Sequence, residues 1–408
     1  MATTVQPHNL TKFLNAMKAI YGPIDTLSPA DAASWTPPLL AEGDRGRYLW
    51  TDAFGVLNLL TLGALAPSEG ARTTYTTLAA RLIAAVHKTL GRTREDQHRL
   101  PGASDEHPLA GGLRIGKEAD EDSPAGDGDG QYHHYLTMWM FALNRMARAS
   151  GERRYNDLAI ELARAIHPAF VRDRDKPRPR MCWKTSVDLQ RAVVNSEGNL
   201  DPIDGYVVFS LLQRDNTGDT RVLEREVGEY RKILETKWRR YISDDPLDLG
   251  MTLWTAHWFS GRPREEWATE LSRRAFVCLR ALIEEEKYFD APTRFRLAFR
   301  ELGTCLGVRV QCECHPRRSA SAATAAGDAR ITAAEEKKKK AKETDTAAGS
   351  EEKAYWDRFL EKVEMTWAPY LEKEPPAVKL KLQPITLVMY AAALVPGAFA
   401  QGFFGEEL

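Results

Sequence analysis

The chain has 408 residues, is 43% hydrophobic and 28% charged, and carries a formal net charge of −1. That is the balance of a globular protein with a sizeable core. It offers no overall basic field to hold nucleic acid and no run of eighteen apolar residues to cross a membrane. The first twenty residues contain no continuous apolar stretch, and the five cysteines (Cys182, Cys278, Cys305, Cys312 and Cys314) follow no regular spacing. The expectation is therefore a cytoplasmic chain with reduced thiols and no secretory signal.

In chain order, residues 9–20 predict a first, weakly amphipathic helix. Residues 47–62 predict a different kind, apolar nearly all round and polar mainly at its start, as in Tyr48-Leu-Trp-Thr-Asp-Ala-Phe-Gly-Val-Leu. A helix apolar on all sides is buried on all sides. Residues 73–90 are amphipathic again, with one wet face. The stretch 92–130 has Gly, Pro and charge but no periodic run, and reads as a long lid-like loop. The alternation then resumes. All-apolar segments lie at 132–147, 203–213, 247–259, 293–306 and 384–395. Amphipathic segments lie at 153–167, 220–241, 264–286 and 352–371. Turn signals such as Ser150-Gly151 and Ala291-Pro292 sit between them. Residues 315–350, rich in Ala, Ser, Lys and Glu, predict a disordered low-complexity surface insertion.

Buried and amphipathic helices thus alternate six times. A pairwise solenoid would show a similar alternation, but it leaves one face of each helix pair wet, and the inner segments show none. The expected fold is all-α, an (α/α)6 toroid forming one domain over 1–408. In such a toroid all inner helices run the same way, so their first turns converge on one end.

Polar residues gather at those first turns. Asp52 sits inside an apolar helix start, where a carboxylate needs a partner, and Asp204 is placed similarly. Asp129, His133 and His134 lead into the 132–147 segment. Adjacent histidines on a helix point in different directions, and His134, in a stripe with Thr137, Met138 and Phe141, is the one expected to face a pocket. For Asp201, Asp244 and Asp245 helix capping is the favoured reading. Two dense segments add candidates for holding a ligand. The loop 105–117 contributes Glu106, His107, Arg114 and Lys117 among glycines that permit close backbone approach. Its charges pairing with one another is the alternative. The stretch 181–191 contributes Trp183, Lys184, Asp188 and Arg191, with a salt-bridge network of Lys184, Asp188 and Arg191 the favoured reading. Trp50, Tyr132 and Trp254 offer further aromatic faces, whereas Trp139 reads as core. Cys312, Cys314 and His315 match no zinc pattern and no second ligand pair follows, so no metal is expected and no cofactor is implied. No Gly-x-Ser-x-Gly elbow is present.

The sixfold alternation, Leu49-Trp-Thr-Asp-Ala-Phe, Gly130-Gln-Tyr-His-His-Tyr-Leu and Asp201-Pro-Ile-Asp-Gly together resemble the six-hairpin glycosidase-like superfamily, over most of the chain outside 315–350. Ala110-Gly-Gly-Leu-Arg-Ile-Gly-Lys and Trp183-Lys-Thr-Ser-Val-Asp resemble an uncharacterised bacterial and fungal family within it. The resemblance implies the toroid and a small-molecule or oligosaccharide ligand; it assigns no residue a role. Three functions follow as expectations. The first is a glycoside hydrolase in which Asp52 and Asp204 flank the bond, with Asp129 and Asp188 in reserve. The second is a sugar isomerase or epimerase that moves a proton with His134 or His257. The third is a binding protein that has kept the fold without chemistry. Asp52, His134, Asp188 and Asp204 are expected to line one cavity, with the 92–130 loop folded over its mouth.

Overall fold

The structure, a computed structural model, describes residues 6–123, 127–314, 333–373 and 379–405. Among them are thirteen α-helices and four two-residue strands. The first helices are α1 (Pro7–Tyr21), α2 (Pro29–Ser34), α3 (Leu49–Ala64) and α4 (Glu69–Leu90). After β1 (Gln131–Tyr132) come α5 (His133–Ser150) and α6 (Arg154–Phe170). Three short strands follow: β2 (Val171–Arg172), β3 (Arg180–Met181) and β4 (Lys184–Thr185). The remaining helices are α7 (Asp201–Arg214), α8 (Glu224–Lys237), α9 (Pro246–His257), α10 (Glu266–Glu284), α11 (Ala298–Cys314), α12 (Ala333–Leu371) and α13 (Gln383–Leu394). Strand β1 pairs antiparallel with β4, Gln131 opposite Thr185 and Tyr132 opposite Lys184, and β2 pairs with β3.

The all-α expectation holds, and so does the division into two kinds of helix. Every residue of α3 from Leu49 to Gly63 is buried, as is every residue of α13 from Pro384 to Leu394. Helix α6 instead buries Tyr155, Ala159, Leu162, Ile166 and Phe170 on one stripe and leaves Arg154 and Glu161 outside the core. The sequence reading put all 408 residues in one domain; the structure gathers them into two compact units, residues 1–241 with 370–408, and residues 242–369. In the first unit α13, α3, α5 and α7 form a row of neighbours, and α1, α4, α6 and α8 back them one for one. In the second, α9 packs on both α10 and α11, and Arg309 and Glu301 of α11 reach Glu364 and Trp367 of α12.

Three details depart from the sequence reading. Helix α2 was not anticipated: it is one short piece held by a capping box, with Ser28 and Asp31 bonding each other's backbone N–H. The 293–306 segment begins with a 3-10 turn at Thr293–Phe295, and α11 proper starts at Ala298. The predicted insertion lies outside the described residues over 315–332, but from 333 to 350 it is the first part of α12. Alanine, glutamate and lysine dominate those residues, and all three are strong helix formers. No helix among the described residues is long and apolar enough to cross a membrane.

The capping expectation holds at Asp245. It is the N-cap of α9, its carboxylate accepting from Leu247 N (2.8 Å) and Asp248 N (3.2 Å), and it also pairs with Arg300. Asp245→Ala should cost about 1 kcal/mol or more in urea unfolding, and Asp245→Ser should recover most of it. Equal stability of all three proteins would remove the cap from the account.

Candidate functional site

The first turns of α3, α5 and α7 lie side by side. Strand β1 runs straight into α5, so Tyr132 is its N-cap and His133, His134 and Tyr135 are its first residues. Tyr48, the N-cap of α3, bonds its hydroxyl to that of Tyr135. The ring of Trp50 lies 6.2 Å from His134 and 5.4 Å from Tyr135, centroid to centroid. Asp201, the first residue of α7, places Oδ1 3.3 Å from Nδ1 of both His133 and His134. Neither α5 nor α7 has a side-chain cap, so their positive ends add to the field around Asp201.

The two histidines divide the work. His133 is wholly buried, and its Nε2 meets the hydroxyl of Tyr230 on α8 at 2.7 Å. Tyr230 approaches so closely because α7 has glycine at 205, where a Cβ would stand 2.5 Å from the phenol ring. Burial holds that phenol well above its ordinary pKa. With Tyr230 donating to Nε2, the hydrogen of His133 sits on Nδ1 and faces Asp201. The side chain of His134 is 37% exposed, and it is the member of the pair that reaches solvent. Around it stand Trp50, Tyr132, Tyr135 and Trp183, with centroids between 4.9 and 6.5 Å from its ring. Lys184 underlies this collar: its Nζ is 5.2 Å from the Tyr132 ring and donates to the carbonyls of Gly128 (3.1 Å) and Glu121 (3.4 Å). Burial lowers its pKa.

Asp201 is fully buried. Burial raises its pKa, but the two imidazoles outweigh that and hold it well below the usual carboxylate range. With Nδ1 of His134 held 3.3 Å from Asp201 Oδ1, Nε2 is the ring nitrogen left to take or give a proton. The buried indole N–H of Trp50 has no hydrogen-bond partner among the described residues. The collar thus holds one buried donor of the kind that a ligand hydroxyl satisfies.

A second acidic group lies at the start of α3. Asp52 is wholly buried, with Oδ1 3.0 Å from Arg47 Nη1 and Oδ2 accepting from Tyr48 N at 3.1 Å. Burial raises its pKa to about 6 against the pull of Arg47 and that backbone bond. Glu42, beside it, accepts from Thr51 Oγ1 at 2.8 Å, and burial pushes its pKa up to about 8.

The remaining candidates mostly serve the chain itself. Asp129 does not face a ligand: Oδ2 takes Arg114 Nη1 at 2.5 Å and Oδ1 accepts from the N–H groups of Gly116 and Lys117. Arg114, expected to hold an anion, also bonds Asp44 and the carbonyls of Arg92 and Thr89. The glycines of this stretch let other parts of the chain approach its backbone closely. Gly112 and Gly116 both have positive φ, and Cβ atoms there would overlap Gln131 Oε1 and Arg47 O. Leu109, Leu113 and Ile115 are fully buried, so 109–116 is packed structure and not a lid. His107 contacts Glu161 on α6, Glu106 bonds Ser104, Lys117 reaches Asp127, and Arg191 reaches Glu121 and Asp122. Asp188 is exposed and closes a turn, accepting from Ser186 Oγ (2.6 Å) and Gln190 N (3.0 Å). The cavity expected to unite Asp52, His134, Asp188 and Asp204 is therefore not the arrangement found around His134. Asp204 lies buried one turn after Asp201. Trp139 is core, as expected, bonding His87. Trp254 and His257 belong to the other unit and are buried there, His257 Nδ1 against the Trp254 carbonyl.

Asp201, Tyr48, Tyr135, Tyr230 and Glu42 were not among the site residues expected from sequence. Asp201 was set aside as a cap, but it is the first helical residue and makes no capping bond. No family model matches the chain, and no curated protein or solved structure does.

Proposed function

We propose that this chain is a carbohydrate-active enzyme of the isomerase or epimerase kind, in which His134 moves a proton and Asp201 positions its imidazole. The observation that carries the reading is Asp201 Oδ1 at 3.3 Å from Nδ1 of a half-exposed histidine ringed by Trp50, Tyr132, Tyr135 and Trp183. Aromatic faces suit the apolar C–H faces of a sugar, and the buried Trp50 donor suits a hydroxyl. Glycoside hydrolysis by Asp52 and Asp204 has less support, because both oxygens of Asp52 are already bound by Arg47 and Tyr48. We further propose the (α/α)6 toroid of the six-hairpin type. Within the first unit the row α13, α3, α5, α7 backed by four outer helices supports it, and the α9–α11 pair in the second is of the same style. The free thiols of Cys182, Cys278, Cys305 and Cys312 support a reducing, cytoplasmic setting.

The test is hydrogen exchange. The protein is incubated in D2O with a panel of free aldoses and ketoses, and loss of the C–H signal next to the carbonyl is followed by proton NMR. Wild type should exchange at least one sugar. His134→Asn should slow that exchange about 100-fold or more while its circular dichroism is unchanged. Unaltered exchange in that variant would take the chemistry away from His134.

A further inference from the structure

We infer that the hydroxyl pair of Tyr48 and Tyr135 is the electrophile of this site, holding the carbonyl oxygen of the substrate while His134 takes a proton from the adjacent carbon. The inference rests on the reading of the His134 collar given above and adds the group that receives the charge which that proton transfer creates.

Tyr135 is the hub of the collar. Its ring centroid lies 4.9 Å from that of His134, 5.4 Å from that of Trp50 and 5.5 Å from those of Tyr132 and Tyr48. Tyr48 arrives from the start of α3 and Tyr135 from the first turn of α5, and their hydroxyls bond each other. Both residues are half-buried, as is His134, so neither the pair nor the imidazole is sealed into the core.

Two other donors of the collar are committed to backbone. The Tyr132 hydroxyl donates to the Gly128 carbonyl at 2.8 Å, and Lys184 Nζ donates to the carbonyls of Gly128 and Glu121. The tyrosine pair is different. Two hydroxyls joined by one hydrogen bond carry two hydrogens, and only one lies between the oxygens. In the arrangement inferred, Tyr135 donates to Tyr48, and the Tyr48 hydrogen goes to the substrate oxygen. The donated bond polarises that second O–H and strengthens it as a donor. Burial and the neighbouring phenol hold Tyr48 well above its ordinary pKa, so the pair stays protonated and acts by hydrogen bonding. Its partners come from two different helices, so the donor is held in place before the substrate arrives.

The substrate class follows: a sugar with a free carbonyl next to a carbon bearing hydrogen and hydroxyl. His134 Nε2 takes the proton from that carbon, and its C–H pair becomes the C=C bond. The carbonyl π pair moves to oxygen, giving an enediolate beside imidazolium. The Tyr48 hydroxyl holds the new charge without giving up its proton. Return of the proton from imidazolium to the carbon restores the carbonyl, with no co-reactant. In D2O the half-exposed imidazolium exchanges with solvent before that return, and deuterium enters the C–H position.

The experiment follows exchange in D2O against sugar concentration for Tyr48→Phe, Tyr135→Phe and the double variant. Tyr48→Phe should lower kcat about 100-fold and leave KM within about twofold, because the lost bond is made to charge that only the transition state carries. Tyr135→Phe should lower kcat about 10-fold, and the double variant should fall little below Tyr48→Phe, since the two act as a unit. An aldonohydroxamate of the same chain length mimics the enediolate. Its affinity should fall in step with kcat across the variants, whereas a merely structural defect would raise KM as well. Circular dichroism checks the fold; should Tyr48→Phe fail to fold, Tyr135→Phe carries the test from the other helix. A double variant with the wild-type rate and hydroxamate affinity, beside an inactive His134→Asn, would overturn the inference alone. So would losses that appear in KM and not in kcat. A wild type that exchanges no sugar would overturn the His134 reading and this inference with it.

Discussion

Arg47→Met should destabilise the chain by about 3–5 kcal/mol at pH 7, while Arg47→Met with Asp52→Asn should come back to within about 1–2 kcal/mol of wild type. Arg47 and Asp52 are both buried, 2% and 0% exposed, and their 3.0 Å contact balances two charges removed from water. Removing only the cation leaves a carboxylate that nothing compensates. Removing both charges leaves a neutral carboxamide that still accepts from Tyr48 N. The pH dependence follows from the raised carboxyl. Asp52 already stands at about 6 in the fold against 3.8 as an ordinary group, and without Arg47 it rises further. The folded variant then binds a proton that the unfolded chain, near pH 7, does not. Its stability deficit should shrink as pH falls from 7 to about 6, below which Asp52 of the wild type takes up its proton too and both proteins gain alike. Urea unfolding of the four proteins of this cycle at pH 7 and pH 5 measures both effects. A single and a double variant of equal stability would mean that the pair is not coupled.

The same pair shows how far sequence carries the reading. An aspartate inside an all-apolar helix start had to have a partner, and that was legible. That the partner is Arg47, five residues earlier, and that it ties up the carboxylate, was not, because a helix start can turn a side chain either way. The all-apolar style of α3 and α13 translated directly into helices buried on every side. Asp245 and Asp201 looked alike, each one residue before a proline and at the mouth of an apolar helix. One caps its helix and the other, a single position further in, turns its carboxylate to two histidines on α5. That difference is tertiary: it depends on α5 and α7 being neighbours, which no local pattern encodes. The basic residues of 105–117 fell the other way. The partners of Arg114 are Asp44 and Asp129, 70 and 15 residues away in sequence but close in space. His134 was singled out because adjacent residues on a helix point in different directions, and it is the one of the pair that reaches solvent.

Gly307→Ala should destabilise the second unit by about 2 kcal/mol or more, whereas Gly228→Ala should stabilise the protein by about 0.5–1 kcal/mol. Both glycines lie inside helices, where alanine is the better helix former, so propensity alone predicts a gain at each. Their surroundings differ. A Cβ at Gly228 on α8 meets nothing within 4 Å. A Cβ at Gly307 on α11 would stand 1.9 Å from the carbonyl oxygen of Gly250 on α9, and one at Gly250 would stand 2.3 Å from the carbonyl oxygen of Gly303. The obstacle on each side is backbone, which cannot swing aside as a side chain can. Helices α9 and α11 would have to separate along their contact, loosening the apolar packing of Leu249, Leu253, Leu302 and Leu306 that their close approach permits. The penalty thus exceeds the propensity gain at Gly307 and is absent at Gly228. Urea unfolding of both variants, with amide exchange across α9 and α11, separates the two cases. Protection lost in those two helices of Gly307→Ala is the expected signature. A Gly307→Ala protein as stable as Gly228→Ala would mean that the two helices do not cross at these glycines.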